Sequence, residues 1–190
     1  MTDEKRLVLK IASGLLDYPG QPAFWHRMAE RESLAKELDV RLGAIIEAFR
    51  QVGPLELEKL YVQAFDFDAK SSLYVTAHEL GDSRDRGQAL IELTELYRRA
   101  GYEVPDDQLA DFLPMMLELA AVHPDMMTPP LTERMAQVAK QIAEHLGQGH
   151  TYRSLFEVIQ DALGLRMTVA SPSVDENPDL ADLPYPIEYQ

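Results

Sequence analysis

Residues 78–90 of the chain are His78-Glu79-Leu80-Gly81-Asp82-Ser83-Arg84-Asp85-Arg86-Gly87-Gln88-Ala89-Leu90. Apolar residues recur at helical spacing on both sides of this stretch, and Gly81 is typical of the residue that follows the last turn of a helix. Asp82 or Ser83 can cap the next helix, because either side-chain oxygen can accept a backbone N–H there. The stretch therefore predicts a junction between two helices that carries six charged or ionisable side chains.

Helical periodicity extends from this junction towards both ends of the chain, and no strand-like alternation persists. Pro114 forces a break or a restart, and residues 65–68 predict a loop anchored by its two phenylalanines. The helical stripes span residues 7–16, 22–38, 42–52, 54–65, 72–80, 83–100, 107–112, 115–122, 130–146 and 152–163. The prediction is an all-α, single-domain bundle of roughly eight to ten helices.

Two of the shorter helices have predicted caps. Ser71 or Ser72 is expected to cap the helix that ends before the junction, since a serine oxygen can accept an N–H of the first turn. In the same way, Asp106 or Asp107 is expected to start a short helix that runs to Phe112.

Charge and composition exclude several classes of partner. The chain has 190 residues and a formal net charge of −14, from 32 acidic and 18 basic residues. Nucleic acids and anionic membranes both require a positive surface, so neither is an expected partner. The absence of cysteine excludes disulfides, thiolate metal sites and thiol catalysis. With no apolar signal core and no apolar run of roughly 18 to 20 residues, the expected location is the cytoplasm.

The character of the chain changes near Arg166. The last 25 residues contain four prolines and five acids, with few large aliphatic residues. Such a composition buries too little apolar surface to offset the entropy of ordering. We therefore predict a helical domain at residues 1–165 and an acidic, proline-rich flexible tail at residues 166–190.

The charged junction does not match a known catalytic motif. His78-Glu79 begins like a zinc-protease motif, but that motif needs a second histidine four residues after the first, where this chain has Asp82. Residues 81–87 lack the preceding strand and the Gly-Lys-Ser/Thr of a phosphate-binding loop. A helix junction whose arginines bridge to nearby acids accounts for the stretch without any chemistry.

Residues 78–90, with Phe65-Asp66 and Ser72-Leu73-Tyr74 before them, resemble the NarJ family. These proteins are the nitrate reductase delta subunits, or molybdenum cofactor assembly chaperones. Residues 15–19 (Leu-Leu-Asp-Tyr-Pro) and 106–118 are similar to two further family segments. The family often has Asp-His where this chain has Asp111-Phe112, so a role for that histidine does not carry over.

The resemblance covers roughly residues 5–165 and implies an all-helical fold like that of the TorD/DmsD chaperones, without catalysis. Such proteins bind the N-terminal segment of a molybdoenzyme catalytic subunit in the cytoplasm. They hold it until molybdenum bis(molybdopterin guanine dinucleotide) is inserted into the client, and they keep no cofactor permanently. The expected oligomeric state is a monomer or weak dimer.

The resemblance also suggests which residues meet the partner. An apolar groove with acidic edges would bind an amphipathic, partly basic helix by burial and charge steering. The candidate contacts are Phe65, Asp66, Tyr74, His78, Glu79, Asp111, Phe112, Met115 and Glu118. The candidate structural junction is Gly81, Asp82, Arg84, Asp85, Arg86, Gly87 and Pro114. We expect Asp82, Asp85 and the two arginines to form an internal network, while Glu79, Asp66 and Asp111 face the partner.

Other functions remain open at the level of sequence. The client of such a chaperone is expected to be a nitrate reductase, with a selenate, chlorate or hydrocarbon dehydrogenase as the alternative. An enzymatic role, such as that of a helical hydrolase, is a different class of function. A direct cofactor carrier is disfavoured, because few basic residues are present to bind a doubly phosphorylated pterin.

Overall fold

The all-α prediction is confirmed by a computed structural model, which describes residues 1–164. The predicted boundary at residue 165 and the tail at residues 166–190 lie outside this range. Nine α-helices occur within it, together with a π-helical turn (Val62–Asp66) and a 3₁₀ turn (Pro124–Met126). The helices are α1 (Asp3–Leu15), α2 (Pro22–Leu38), α3 (Val40–Val52), α4 (Pro54–Tyr61), α5 (Val75–Leu80), α6 (Arg84–Arg99), α7 (Leu113–Val122), α8 (Pro129–Leu146) and α9 (Arg153–Leu163).

Helix α1 has a central place in the packing. It contacts α2, α7 and α9, while α8 packs along α9 and α2 along α3. Of the apolar stripe predicted at residues 7–16, Val8, Ile11, Leu15 and Leu16 are buried, whereas Leu7 is exposed. A hydrogen bond of 2.8 Å from Ser13 Oγ to the carbonyl oxygen of Pro114 joins α1 to the first turn of α7. This contact fixes where α7 begins relative to α1.

An aromatic cluster fills the part of the core that lies next to the candidate site. Its members are Phe24, Phe49, Tyr61, Phe65, Tyr152 and Phe156. The ring centroids of Phe49 and Tyr152 are 4.8 Å apart, and those of Phe65 and Tyr152 are 5.0 Å apart. Tilted and edge-to-face pairs of this kind contribute about 1 kcal/mol each beyond the area they bury. The cluster therefore holds Tyr61 and Phe65 rigidly.

Proline and glycine mark the helix ends as predicted. Helices α2, α4, α7 and α8 each have proline in their first turn, where its missing N–H leaves no hydrogen bond unmade. Pro114 thus restarts a helix, as expected. Gly81 follows α5 with φ of +52°, a backbone conformation that favours glycine.

The predicted cap of α5 is wrong. Ser71 is buried, and its Oγ donates a hydrogen bond to the carbonyl oxygen of Ala64. It is therefore used to join the π-helical turn to the following segment. Helix α5 begins only at Val75, after Tyr74, and has no side-chain capping hydrogen bond.

The short helix predicted before Phe112 is absent from the described structure. Residues 106–111 contain two turns and a bend, and Phe112 makes an isolated antiparallel bridge with Tyr74. The N–H of Leu113 donates to the carbonyl oxygen of Leu73 at 2.7 Å, and the N–H of Val75 donates to that of Asp111 at 2.9 Å. These backbone groups pair across 40 and 36 positions of chain, which a local sequence pattern does not encode.

The loop predicted at residues 65–68 has one aromatic anchor, not two. Phe65 is 6% exposed and belongs to the aromatic cluster, whereas Phe67 is 83% exposed. The π-helical turn accounts for the difference, because it continues the chain from α4 through Asp66 before the helix ends. Phe67 therefore lies beyond the last residue held by the core.

The longest described helix, α8, has 18 residues. No helix among residues 1–164 combines the length and the apolar character that crossing a membrane requires.

Candidate functional site

A cleft of about 350 Å³ forms where the segment after α1, the end of α4 and the bridged segments around Tyr74 and Phe112 meet. Its lining is Asp17, Tyr18, Tyr61, Phe65, Asp66, Leu73, Tyr74, Gln108 and Phe112. We call it the aromatic–acidic cleft, because five of these nine residues are aromatic and two are aspartates.

The aromatic residues of the cleft are held by one another and by hydrogen bonds. The rings of Tyr18 and Tyr61 meet edge to face with centroids 5.6 Å apart, and those of Tyr74 and Phe112 are 5.5 Å apart. The phenol of Tyr74 donates to Gln108 Oε1 at 2.8 Å, and the phenol of Tyr18 donates to a carboxylate oxygen of Glu58 at 3.1 Å. The cleft is thus formed before any partner binds.

The charge of the cleft is negative. Asp17 pairs with Arg27 at 2.8 Å, yet burial raises the pKa of Asp17 above its usual value, against the opposite effect of the arginine. Asp66 is exposed at the edge of the cleft. Burial, and then the charges of Asp111 and Asp66, raise the pKa of the Tyr74 phenol. Aromatic faces beside carboxylates favour a lysine or arginine side chain, through cation–π attraction and charge.

A second depression of about 290 Å³ lies between the C-terminal end of α6, one side of α7 and Lys10 of α1. It is lined by Lys10, Tyr97, Tyr102, Glu103, Met115, Glu118, Leu119 and Val122. We call it the α6–α7 groove. Lys10 forms an ion pair with Glu118, which leaves Glu103 as the other acid of the lining. Tyr102 and Val122 are large apolar residues that remain exposed there.

The predicted partner contacts fall into separate places. Phe65, Asp66, Tyr74 and Phe112 line the aromatic–acidic cleft, and Met115 and Glu118 line the α6–α7 groove. His78 and Glu79 line neither. The Nε2 of His78 donates to the carbonyl oxygen of Ser72 at 2.7 Å, which fixes the segment before α5. Glu79 pairs with Arg134 of α8 at 2.8 Å.

Asp111 does not face a partner, so that prediction is wrong. Its side chain is fully buried, and Oδ2 accepts hydrogen bonds from the backbone N–H of Thr76 at 3.0 Å and the hydroxyl of Thr76 at 2.5 Å. Arg86 lies 3.7 Å from the same oxygen and also donates to the Thr76 hydroxyl at 3.2 Å. We call Thr76, Arg86 and Asp111 the buried triad; Thr76 and Asp111 are fully buried, and the side chain of Arg86 is 21% exposed. It secures the N-terminal turn of α6 and the start of α7 to α5.

The predicted network within the charged junction is also wrong. Asp82, Arg84 and Asp85 are exposed, and none of them forms an ion pair with another residue of the range 1–164. Water satisfies exposed charges, so there is little gain from pairing them. Only Arg86 turns inward, towards Asp111 rather than towards the aspartates beside it. Gly87 lies within the first turn of α6 and not in the connecting loop.

Sequence reasoning missed several residues of the cleft, among them Asp17, Tyr18, Tyr61 and Gln108. Asp17 and Tyr18 belong to the segment at residues 15–19, which carried part of the family resemblance. That resemblance could have indicated them as site residues. Tyr61 fits a helical apolar stripe and gives no separate signal. In the described part of the chain, no cluster of three or more His, Asp or Glu residues is arranged to hold a metal ion.

The family model described as "Nitrate reductase delta subunit" matches residues 31–148. The chain is 30% identical over 158 residues to "Nitrate reductase molybdenum cofactor assembly chaperone NarJ" of Escherichia coli K12, covering 80% of this chain and 67% of that protein. It is 29% identical over 178 residues to "Probable nitrate reductase molybdenum cofactor assembly chaperone NarJ" of Bacillus subtilis strain 168, covering 88% and 96% of the two chains.

A third relative is "Nitrate reductase-like protein NarX" of Mycobacterium tuberculosis H37Rv, which is 32% identical over 119 residues. That alignment covers 60% of this chain but only 18% of the longer relative. The matched family region contains the π-helical turn, the buried triad and most of the aromatic–acidic cleft. The resemblance found in residues 78–90 is therefore confirmed, and the chain belongs to the nitrate reductase delta subunit family.

Proposed function

We propose that this chain is an assembly chaperone for a nitrate reductase and that it acts before the enzyme receives its molybdenum cofactor. The observation that carries the proposal is family membership, together with relatives named as nitrate reductase molybdenum cofactor assembly chaperones. These names favour a nitrate reductase as the client over a selenate, chlorate or hydrocarbon dehydrogenase. They also agree with a role that involves binding and not catalysis.

The partner in this proposal is the N-terminal segment of the reductase catalytic subunit, and its binding site is the aromatic–acidic cleft. Two features support the choice of site. The cleft combines aromatic residues with the carboxylates of Asp17 and Asp66, and the chain as a whole carries a net charge of −14. A basic, amphipathic segment would gain from burial of its apolar residues and from attraction of its cations.

The cofactor reaches the client and not this chain. In the proposal, the chaperone keeps the catalytic subunit open while molybdenum bis(molybdopterin guanine dinucleotide) is inserted in the cytoplasm, and then leaves. It acts as a monomer or weak dimer. Two arginines, Arg41 and Arg153, line a surface pocket between α3 and the start of α9. Both are paired with carboxylates, Arg41 with Asp161 and Arg153 with Glu157, which argues against a site for cofactor phosphates in that pocket.

Co-purification tests this function. The full chain is expressed with the catalytic subunit of the reductase from the same organism, either intact or without its N-terminal segment, in cells that cannot make the cofactor. The proposal predicts recovery of the intact subunit and loss of most recovery after truncation. The cofactor content of the reductase is then measured in cells with and without the chaperone, and a fall of at least tenfold without it is expected.

Two outcomes would contradict the proposal. Equal recovery of the intact and truncated subunits would rule out the N-terminal segment as the main contact. Full cofactor content without the chaperone would rule out the assembly role. A different molybdoenzyme of the same superfamily, expressed in place of the nitrate reductase, is the specificity control, and it should not be recovered.

A further inference from the structure

The aromatic–acidic cleft and the α6–α7 groove lie along one edge of the same helix. Phe112, at the N-terminal end of α7, lines the cleft. Met115, Leu119 and Val122 follow at helical spacing and line the groove. A helix rises about 1.5 Å per residue, so the seven residues from Phe112 to Leu119 span about 10 Å.

The two depressions also share an electrostatic environment. Burial is the main cause of the raised pKa of Asp17 in the cleft, and the charge of Glu118 in the groove raises this pKa a little further. Lys10 neutralises part of that charge through its ion pair with Glu118. A cation bound in the cleft would therefore be attracted chiefly by Asp66, because Asp17 and Glu118 each have a basic partner already.

The lining of the groove differs from that of the cleft in what it can bind. Leu119 is 4% exposed, whereas Tyr102 and Val122 are 46% and 40% exposed. Leu119 thus forms the bottom of the groove, and Tyr102 and Val122 form its edge. Such a lining favours a large aliphatic or aromatic side chain of the partner, because burial removes apolar surface from water on both partners. The volume of about 290 Å³ has room for one such side chain.

We infer that the α6–α7 groove is a second binding site for the same partner segment. The cleft and the groove together would select a segment by the spacing between its basic residue and its large apolar residue. The inference rests on the proposed function. The partner is a helix with a lysine or arginine that enters the aromatic–acidic cleft and a large apolar residue seven positions away that enters the groove. Residues seven apart lie on one face of a helix and are separated by the same distance of about 10 Å that separates Phe112 from Leu119.

Designed peptides test this spacing with the full chain. The peptides are fluorescein-labelled helices built from alanine and glutamine. Each contains one arginine and one leucine, either seven or nine positions apart, and each spacing is made with arginine first and with leucine first. The nine-residue spacing has the same composition but places leucine on the opposite helix face. In one of the two orders, the seven-residue spacing should bind about tenfold more tightly, the gain that burial of one leucine can give.

A filled groove supplies the second part of the test. Val122→Trp should remove the preference for the seven-residue spacing, while a peptide with arginine but no leucine should bind as it does to the unaltered chain. The matched control is Val40→Trp, since Val40 is 78% exposed on α3 and lines neither depression. This control should keep the preference.

The outcomes separate the second binding site from the function. Equal binding of the two spacings in both orders, or an unchanged preference in Val122→Trp, would overturn the second binding site. Failure of every designed peptide to bind would overturn it as well. None of these results would contradict the proposed function, which is tested separately by the co-purification experiment.

Discussion

The charged junction at the start of α6, with Asp82 and Asp85, and the segment before α7, with Asp111, both carry aspartates, but only Asp111 is buried. Asp82 and Asp85 are exposed and have no ion-pair partner in the range 1–164. Asp111 is fully buried and bound to Thr76 and Arg86. The densely charged stretch at residues 78–90 thus identified the family, whereas Asp111, a single aspartate in an apolar stretch, joins α5, α6 and the start of α7.

The difference has a simple physical origin. A charge in water needs no partner, whereas a buried carboxylate without hydrogen bonds is strongly unfavourable. Two Thr76 donors to one oxygen of Asp111, with Arg86 beside it, lower the cost of burying this carboxylate. The buried triad in turn positions Tyr74 and Phe112, each of which is within two residues of a triad member in sequence and lines the cleft.

The largest effect is expected from Asp111→Ala. This change removes the acceptor of two Thr76 donors and leaves Arg86 without its partner, so it should lower the free energy of unfolding by about 3 kcal/mol. Urea denaturation measures the loss. The matched variant Asp82→Ala should change stability by less than about 0.5 kcal/mol. Equal losses in the two variants would mean that burial does not distinguish the two aspartates.

The arginines give the next largest contrast. Arg86→Ala should cost about 2 kcal/mol, because it leaves the buried carboxylate of Asp111 without a cation. Arg84→Ala should be nearly neutral in stability and in peptide binding, since Arg84 is exposed. Thermal unfolding and a binding titration are measured on both variants. Loss of binding in Arg84→Ala at unchanged stability would instead place Arg84 in the partner site.

An aromatic change in the cleft should affect binding more than folding. Tyr74→Leu keeps an apolar side chain but removes the aromatic face, and we expect affinity for a basic segment to fall about fivefold, or about 1 kcal/mol. The control is Phe67→Leu, an exposed phenylalanine close in sequence that does not line the cleft. Fluorescence anisotropy compares the two. A larger loss in Phe67→Leu than in Tyr74→Leu would locate the site elsewhere.

The smallest predicted effect is on pH dependence. Burial raises the pKa of Asp17 in the folded chain above its ordinary 3.8, and a bound cation favours the ionised form. Affinity for a basic segment should therefore fall by about twofold as pH falls from about 7 through that raised pKa. Asp17→Asn should lack this part of the dependence, as binding titrations at several pH values can show.

Protein stability should respond to Asp17 in the opposite direction. A folded-state pKa above the unfolded value means that the folded chain binds the proton more tightly. The contribution of Asp17 to stability therefore rises as pH falls through the raised pKa and is complete below 3.8. Comparison of the unaltered chain with Asp17→Asn in urea at several pH values isolates it, and a contribution that falls towards low pH would contradict the assignment.

The sequence predicted the helices well, because proline, glycine and the apolar spacing act over a few residues. Helix α2 has the predicted bounds, and Pro114 opens α7. The helix predicted before Phe112 failed because that segment pairs with Leu73 and Val75 through backbone hydrogen bonds. Such a pairing depends on two distant segments and leaves no periodic pattern in either.

The site was predictable only in part. Phe65, Tyr74 and Phe112 belong to segments that resembled the family and do line one cleft. The sequence does not tell which acid is buried, since the donors that make burial of Asp111 possible are 35 positions away in Thr76. It also does not reveal that Asp17 joins Asp66, because helix packing brings these residues together.

The most direct test of the account compares two double variants in binding the N-terminal segment of the reductase catalytic subunit. One variant, Asp17→Asn with Asp66→Asn, alters the aromatic–acidic cleft, and the other, Asp82→Asn with Asp85→Asn, alters the charged junction by the same two charges. Isothermal titration should show about a tenfold loss of affinity for the cleft variant and less than about a twofold change for the junction variant. The reverse result would place the partner on the charged junction and contradict the account.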